Sequence, residues 1–426
     1  MTDSEKPFRH RFTARVIKIA LDLYSRAVMG CRKVARVLEV FGEYFSHSVP
    51  HHTTIRQWVV RNGCHTLNSP MEQANDWVAI GDLTISLGKM KCLAIVGAKM
   101  SNLQKRDDFK LTHEDVEIIG LYPTEKSDGN FVHDALKDAA DRIGGNFFAT
   151  IIDQGSDIKK GAQLFQQAHS KMKIFYDIAH KLSNVMEKKL KNDVIWAEYI
   201  KQLNMTRKRA YQTELAALMP AKQRAKARFM DIGYLVKWPE RLAASKASGR
   251  LSSIPEERYQ DYFGWIDEFK SVLEEWGFMV GIVEIIKETI RTFGLSKGVY
   301  SYLKIFFEEA SIKGERLEMF VSESLRAVWK EAEKLKGEET IISSTEVLES
   351  VFGKYKAINQ GTQGITGNVL GICAFVGKKK NEQDIKEAME KCSVKEGVKW
   401  IRDNIGISIS SLRRQFFSES NRTTFV

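Results

Sequence analysis

No apolar run in this chain approaches the roughly 20 residues needed to cross a bilayer, so no membrane-spanning helix is expected. The N-terminus, MTDSEKPFRHRF, is polar and lacks the apolar stretch of a signal peptide. Cysteine is sparse. Cys31, Cys64, Cys92, Cys373 and Cys392 are odd in number, widely scattered and never arranged as CxxC. That pattern suggests neither a disulfide framework nor a cysteine-rich zinc site, and reduced cytoplasmic thiols are the simplest reading.

What the chain has in excess is positive charge. Its 426 residues carry 65 Lys and Arg against 54 Asp and Glu, a net charge of +11. Such a bias points to a polyanionic partner, nucleic acid ahead of an anionic membrane surface. The charge is unevenly placed. Residues 1–65 hold eleven Lys and Arg against five Asp and Glu, and residues 188–228 hold eleven against three. Two basic stretches around a near-neutral core suggest two places where a duplex is held. At 43% hydrophobic, a chain this long can bury a substantial core without covalent staples.

Four segments follow from the changing period of the apolar residues. Residues 1–68 read as helices: Phe12, Val16, Ile19, Ala20 and Leu23 recur at helical spacing, and Val34, Val37, Leu38 and Phe41 share a second helical face. After Pro50, HHTTIRQWVVRNG reads as a short helix capped by Thr53, Thr54 or a preceding histidine and ending at Gly63. With Thr54, Arg56, Gln57 and Arg61 on its exposed side, it fits a helix-turn-helix reader of the major groove. A small helical bundle with an ordinary charged face is the plainer alternative.

In residues 74–185 the period shortens. DWVAIGDLTISLGKMKCLAIVGAKM reads as two antiparallel strands, and after a polar stretch come the helix NFVHDALKDAADRIGG, the strand FFATIID and further helices. Strand pairs followed by alternating strands and helices imply a mixed sheet flanked by helices. Residues 186–340 read as an all-helical domain, poor in Gly and Pro and containing Trp196, Trp238, Trp265, Trp276 and Trp329. Residues 341–426 return with the helix STEVLESVFGKYKA, the apolar run NVLGICAFVG and a basic tail.

Three acids carry the chemistry. Asp82 interrupts an apolar strand, where a carboxylate is costly unless paired or bound to a cation. Asp153 ends the next apolar strand, and Asp157 is expected to cap the helix after it. Glu349 lies on an amphipathic helix with Val347, Leu348, Val351 and Phe352. Three oxygen ligands suit two Mg²⁺ or Mn²⁺ ions, and Lys356 could contact a substrate phosphate. Taken singly, each acid could instead be a cap, half of a buried ion pair or a solvated helix charge, and physics alone does not choose between Glu346 and Glu349.

Together, D-x-T-I-x-x-G-x-x-K-C-L around Asp82, I-I-D-Q-G-S-D-x-K-K-G around Asp153, Y-D-I-A-H-K at 176–181 and T-E-V-L-E-S-V-F-G-K-Y-K at 345–356 resemble the DDE transposases of bacterial insertion sequences. The resemblance covers most of the chain in matching order. It implies an α/β RNase H-like mixed sheet core, interrupted by an all-helical insertion domain before the glutamate and preceded by a helix-turn-helix DNA-binding domain. The 196 residues from Asp153 to Glu349 suit such an insertion. It further implies Asp82, Asp153 and Glu349 as catalytic metal ligands in an enzyme that cuts and joins double-stranded DNA at terminal inverted repeats, as a homodimer or larger assembly in the bacterial nucleoid.

The stretch D-Q-G-S-D with D-I-A-H-K-L-S-N also resembles eukaryotic hAT transposases, which raises Asp177 and His180 as auxiliary site residues. The glutamate block resembles a signature of tyrosine, arginine, glutamate and lysine. Glu349 and Lys356 fit it, whereas Ile342 and Thr345 stand at the tyrosine and arginine positions, so contacts made by those two are not carried over. Arg207, Lys208, Arg209, Arg224, Lys226 and Arg228 would grip backbone phosphates, a salt-sensitive and sequence-tolerant term. Rival readings are a catalytically silent, transposase-derived DNA-binding regulator and a structure-specific nuclease on the same fold.

Overall fold

The computed structural model describes residues 5–45, 48–85, 90–223, 228–359, 367–406 and 414–418. The chain divides into two compact units, Met1–Phe175 with Thr345–Val426 and Tyr176–Ser344.

The first unit is built on a five-stranded mixed sheet whose strands, β1 (Trp77–Ile85), β2 (Lys91–Lys99), β3 (Glu117–Thr124), β4 (Ala149–Ile152) and β5 (Lys173–Tyr176), lie in the order β3-β2-β1-β4-β5. Strands β1 (Trp77–Ile85) and β2 (Lys91–Lys99) pair antiparallel with Trp77 opposite Lys99 and Ile85 opposite Lys91. Strand β4 (Ala149–Ile152) joins the other side of β1 in parallel, and β5 (Lys173–Tyr176) follows it. In β2 every residue from Cys92 to Ala98 is buried, so the sheet is covered on both faces and its centre reads as a continuous apolar run.

Strand β3 (Glu117–Thr124) was expected to be polar connecting chain. Gly120 and Pro123 disguise it. Proline donates no ladder hydrogen bond and is tolerated on an edge strand, which is where β3 lies, and the register shifts at Ile95/Val96 beside Gly120.

Helix Gly129–Asp141 is capped by Asp128, whose carboxylate accepts from Phe131 N at 2.9 Å. The residues beyond it, Gly144 and Gly145, have φ of 108° and 93°, the left-handed stop that the GG pair announced. Helix Ser156–Ala168 begins at an N-cap glycine, Gly155. Asp157 is therefore not the cap. It sits in the first turn, where a negative charge favours the helix dipole, and takes a 3.2 Å hydrogen bond from Ser156 Oγ.

The N-terminal helices α1 (Ala14–Ser25), α2 (Cys31–Phe45) and α3 (His52–Asn68) belong to the same compact unit as the sheet rather than to a separate domain over 1–68. The cause lies in α3. His51 caps it, but the helix runs through Gly63 instead of ending there. Gly63 serves close approach: a Cβ at this position would stand 2.3 Å from the Leu370 carbonyl oxygen. Ile55, Trp58, Val59, Val60 and Cys64 are buried, and α3 packs against Glu382–Lys391, Val394–Ile405 and the 3₁₀ stretch Gly367–Ala374. The C-terminal segment thus wraps the helix expected to be a free-standing reader.

The second unit spans 176–344 where 186–340 was expected, and beyond Tyr176, the last residue of β5, its described elements are helices apart from one bridge between Leu295 and Ile341. Its tryptophans form an interior. Trp196 meets Trp276 edge-on at 5.0 Å, Tyr199 packs against Trp265, Phe269 and Trp276, and the Tyr199 hydroxyl donates to the Leu235 carbonyl at 2.8 Å. Glu331, 1% exposed, is held by Lys181, by Lys334 at 2.6 Å and by the Tyr176 amide at 3.0 Å. A buried carboxylate is tolerable only with such partners.

Candidate active site

Strand register sets Asp82 and Asp153 each one residue beyond the last pair of β1 and β4. The parallel pairing of β1 with β4 sets Val78 opposite Ala149 and ends with Gly81 opposite Ile152. One residue further along each strand stand Asp82 and Asp153. Neighbouring strands lie about 4.8 Å apart, and residues at matching positions of a parallel pair project to the same face. Strand β4 stops at Ile152 while β1 continues to Ile85, still paired with β2, so the sheet opens on its β4 side where the two acids emerge. Both are half-buried.

Asp153 is oriented by its own turn. Its Oδ1 accepts a hydrogen bond from Gly155 N at 2.9 Å, an Asx-turn in which the side chain mimics a backbone turn. Gly155 leaves little margin, since a Cβ there would lie 3.0 Å from the same oxygen. Gln154 and Gly155 mark a turn in the sequence, and the structure adds that the Gly155 amide is what holds the acid. Gly155→Ala is expected to displace the Asp153 carboxylate, weakening Mg²⁺ binding by the full-length protein about tenfold while costing roughly 1 kcal/mol or less of stability as an N-cap change. Calorimetric Mg²⁺ titration beside denaturant unfolding checks the split. Native Mg²⁺ binding with a loss of stability would assign Gly155 to folding alone.

Glu349 lies in the first turn of the Glu346–Ile358 helix, which packs against β1 through a face bearing Val347, Leu348, Val351, Phe352 and Tyr355. Glu349 is half-buried at the margin of that face, and its amide bonds the Thr345 carbonyl at 3.2 Å. Lys356, seven residues on and hence on the same side of the helix, is exposed. Glu346 is also half-buried and in the first turn. Among the described residues, no three His, Cys, Asp or Glu side chains are gathered closely enough to hold a metal ion. The register therefore supplies a pair of carboxylates, with Glu349 on a neighbouring helix. Two carboxylates are a sufficient protein contribution to a Mg²⁺ site completed by waters and substrate phosphate oxygens, so the donor set fits a hard divalent cation.

Asp177 and His180 belong to the second unit. Asp177 is fully buried and caps the Ile178–Leu190 helix, its Oδ1 accepting from His180 N at 2.9 Å. His180 Nδ1 stands 3.3 Å from that same oxygen, an ion-pair distance when the ring is protonated but not the alignment of a hydrogen bond. Capping accounts for the buried aspartate without a catalytic part.

The residues expected to touch DNA fall into different settings. On α3, Arg56 and Gln57 are exposed and Thr54 is half-buried, with Arg56 Nε donating to Asn368 Oδ1 at 3.0 Å. Arg61 is a correction. Its guanidinium turns inward to the carbonyls of Cys392, at 2.6 Å, and Met389, and to His10 Nε2 at 2.7 Å. Burial and the adjacent Arg61 charge lower the His10 pKa, keeping the ring a neutral acceptor. Arg61 tethers α3 to the C-terminal segment, which leaves its fork no free edge for a base.

In the second unit Arg207 is spent on Asn204 Oδ1 and on the carbonyls of Pro220 and Ala221. Arg209 bonds Asp261 at 2.6 Å and lies 4.4 Å over the Tyr262 ring. Lys208 and Arg228 are exposed, and Arg224 and Lys226 lie outside the described residues. No helix among the described residues is long and apolar enough to cross a membrane. The chain matches no protein-family model and no curated protein.

Proposed function

We propose that this protein is a DDE-type transposase on an RNase H-like core, cutting and joining DNA at the ends of its own element by in-line phosphoryl transfer. The observation that carries the reading is the register Gly81–Ile152, which supports placing two carboxylates together where β1 outruns β4. The five-stranded mixed sheet, with three antiparallel strands and β4 added in parallel, is compatible with an α/β core of this kind. The net charge of +11 suits a DNA partner.

In this reading Asp82 and Asp153 hold divalent cations and Glu349 completes the set from its helix. Mg²⁺ or Mn²⁺ so bound would activate the attacking hydroxyl and stabilise the oxygen that leaves. The chain's own part is positional. The Asx-turn fixes the Asp153 carboxylate, β1 fixes Asp82, and Lys356 offers a cation to the substrate phosphate. In cleavage, water adds to phosphorus and the 3′-oxygen departs, giving a 3′-hydroxyl and a 5′-phosphate. In joining, that 3′-hydroxyl attacks a target phosphodiester, forming one phosphodiester as another breaks.

The test is cleavage of labelled DNA carrying the element's own ends, with Mg²⁺ or Mn²⁺, by the native chain and by Asp153→Ala. Metal-dependent 3′-hydroxyl ends from the native chain, lost in the variant while DNA binding persists, are the expected result. A second reading is a DNA-binding regulator without catalysis, which the net charge of +11 suits equally. Binding of the intact ends by both proteins and cutting by neither would establish it.

A further inference from the structure

The first unit contains a cavity of about 520 Å³ that plays no part in the carboxylate reading. It is lined from five separate stretches of chain: α1, α3, the 112–114 loop, Lys354 of the Glu346–Ile358 helix, and residues 373–380 with Ile385. The Gly377 amide donates to the His113 carbonyl at 2.9 Å, tying two of these stretches together.

Charge in this lining is one-sided. Its two carboxylates are already matched within the wall, Asp22 to Lys18 at 2.5 Å and Glu114 to Lys379 at 3.0 Å. Arg26, Lys354, Lys378 and Lys380 remain, and no described carboxylate forms an ion pair with any of them among the contacts above. Lys380 is the most constrained. Its ammonium donates to Asn62 Oδ1 at 2.8 Å and Thr66 Oγ1 at 2.9 Å, two neutral acceptors for a group with three N–H donors. Burial holds the Lys380 pKa below the usual lysine range, and Lys354 is shifted the same way for the same reason. Asp384 acts on Lys380 through space, but the two hydrogen-bond acceptors of the ammonium are neutral, an arrangement that an anion completes. His113 adds no charge, because burial first and Lys354 second lower its pKa.

Size and the remaining wall narrow the class. The volume falls in the range of small-molecule sites, about 300–1,000 Å³. Leu21, Phe375, Val376 and Ile385 add apolar surface to the same lining. Lysine ammonium groups bind phosphate as point charges.

We propose that this cavity is a nucleotide-phosphate site, taking one phosphate on Lys354, Lys378 and Lys380 with the attached nucleoside against that apolar surface. The phosphate belongs either to a free mononucleotide or to one residue of a DNA strand. The site is distinct from the Asp82–Asp153 pair, although the helix that carries Glu349 on one side presents Lys354 about 140° further round its axis, at 100° per residue.

Calorimetric titration of the full-length protein at low salt tests this, using deoxyadenosine monophosphate, deoxyadenosine and a short single-stranded DNA as probes. Lys380→Met risks loosening α3, so Lys354→Gln and Lys378→Gln carry the test. The monophosphate is expected to bind at least about tenfold more tightly than deoxyadenosine, with each Gln variant weakening it about fivefold. Displacement of the monophosphate by single-stranded DNA assigns the site to a strand, and failure to displace it assigns the site to a free nucleotide. Equal affinity for the two small probes, no binding of either, or native binding by the Lys354→Gln/Lys378→Gln double variant would each overturn the proposal. Asp153→Ala should bind the monophosphate as the native chain does, so failure of the cleavage reading and failure of this one are separable.

Discussion

On the transposase reading proposed above, Glu349→Gln and Asp153→Asn are each expected to lower metal-dependent cleavage about a thousandfold, whereas Glu346→Gln should stay within about threefold of native. A thousandfold is about 4 kcal/mol of barrier, the scale set by losing a ligand rather than a surface charge. The two glutamates are otherwise closely matched. Both are half-buried in the first turn of one helix, one turn apart, and each contributes only about 0.3–1 kcal/mol to stability through the helix dipole. Stability measurements will therefore not tell them apart, and activity will. Glu349 is favoured because it borders the buried Phe352 and shares its side of the helix with Lys356, so an acid and a cation follow one line along the surface. If Glu346→Gln proves the inactive variant, the third ligand moves one turn toward the helix N-terminus. If neither substitution matters while Asp153→Asn abolishes cutting, the reaction runs on the two strand acids with a third group from elsewhere.

Local features were legible in the sequence where the chemistry was local. The β1–β2 hairpin shows through because each strand is a dense run of Val, Ile, Leu and Ala, and the helix after Asp128 shows through because it begins on an aspartate and stops at two glycines. Strand β3 was hidden by Gly120 and Pro123, which mark turns in most settings and are tolerated here because β3 is an edge. The acid pair was half visible: two apolar strands, each carrying an aspartate, were plain, but only the register says that each aspartate follows the last paired residue of its strand. Arg61 looked like an exposed base-reading side chain because helical periodicity describes one helix at a time. Its partners, the carbonyls of Met389 and Cys392, lie more than 300 residues away in sequence. The lysine cavity was similarly out of reach. Its signal was the run Gly377-Lys378-Lys379-Lys380, indistinguishable from a solvated basic loop until four other stretches of chain close around it.

Gly63→Ala is the substitution expected to harm the fold most for its size. In an isolated helix alanine beats glycine by about 1 kcal/mol, so helix propensity alone predicts stabilisation. Packing predicts the opposite. The added methyl would stand 2.3 Å from the Leu370 carbonyl oxygen and 2.9 Å from its carbonyl carbon, and neither is the far end of a flexible side chain that can swing aside. The backbone of the Gly367–Ala374 stretch would have to retreat from α3. Overpacking of this kind costs roughly 1–3 kcal/mol, and the upper end is expected because the displaced atoms are main chain. Gly353→Ala is the matched control, since Gly353 is exposed on the Glu346–Ile358 helix of the same unit and an added methyl there meets nothing within 4 Å. Denaturant unfolding should show loss for Gly63→Ala and a gain of about 0.5–1 kcal/mol for Gly353→Ala. A gain at both positions would mean that the C-terminal segment does not press on α3, and Arg61 would then be available to meet DNA after all. Loss at Gly63 alone ties the N-terminal helices to the C-terminal segment as one folding unit. Any reading of DNA by α3 must then use the exposed Arg56 and Gln57 near its start rather than the full length of the helix.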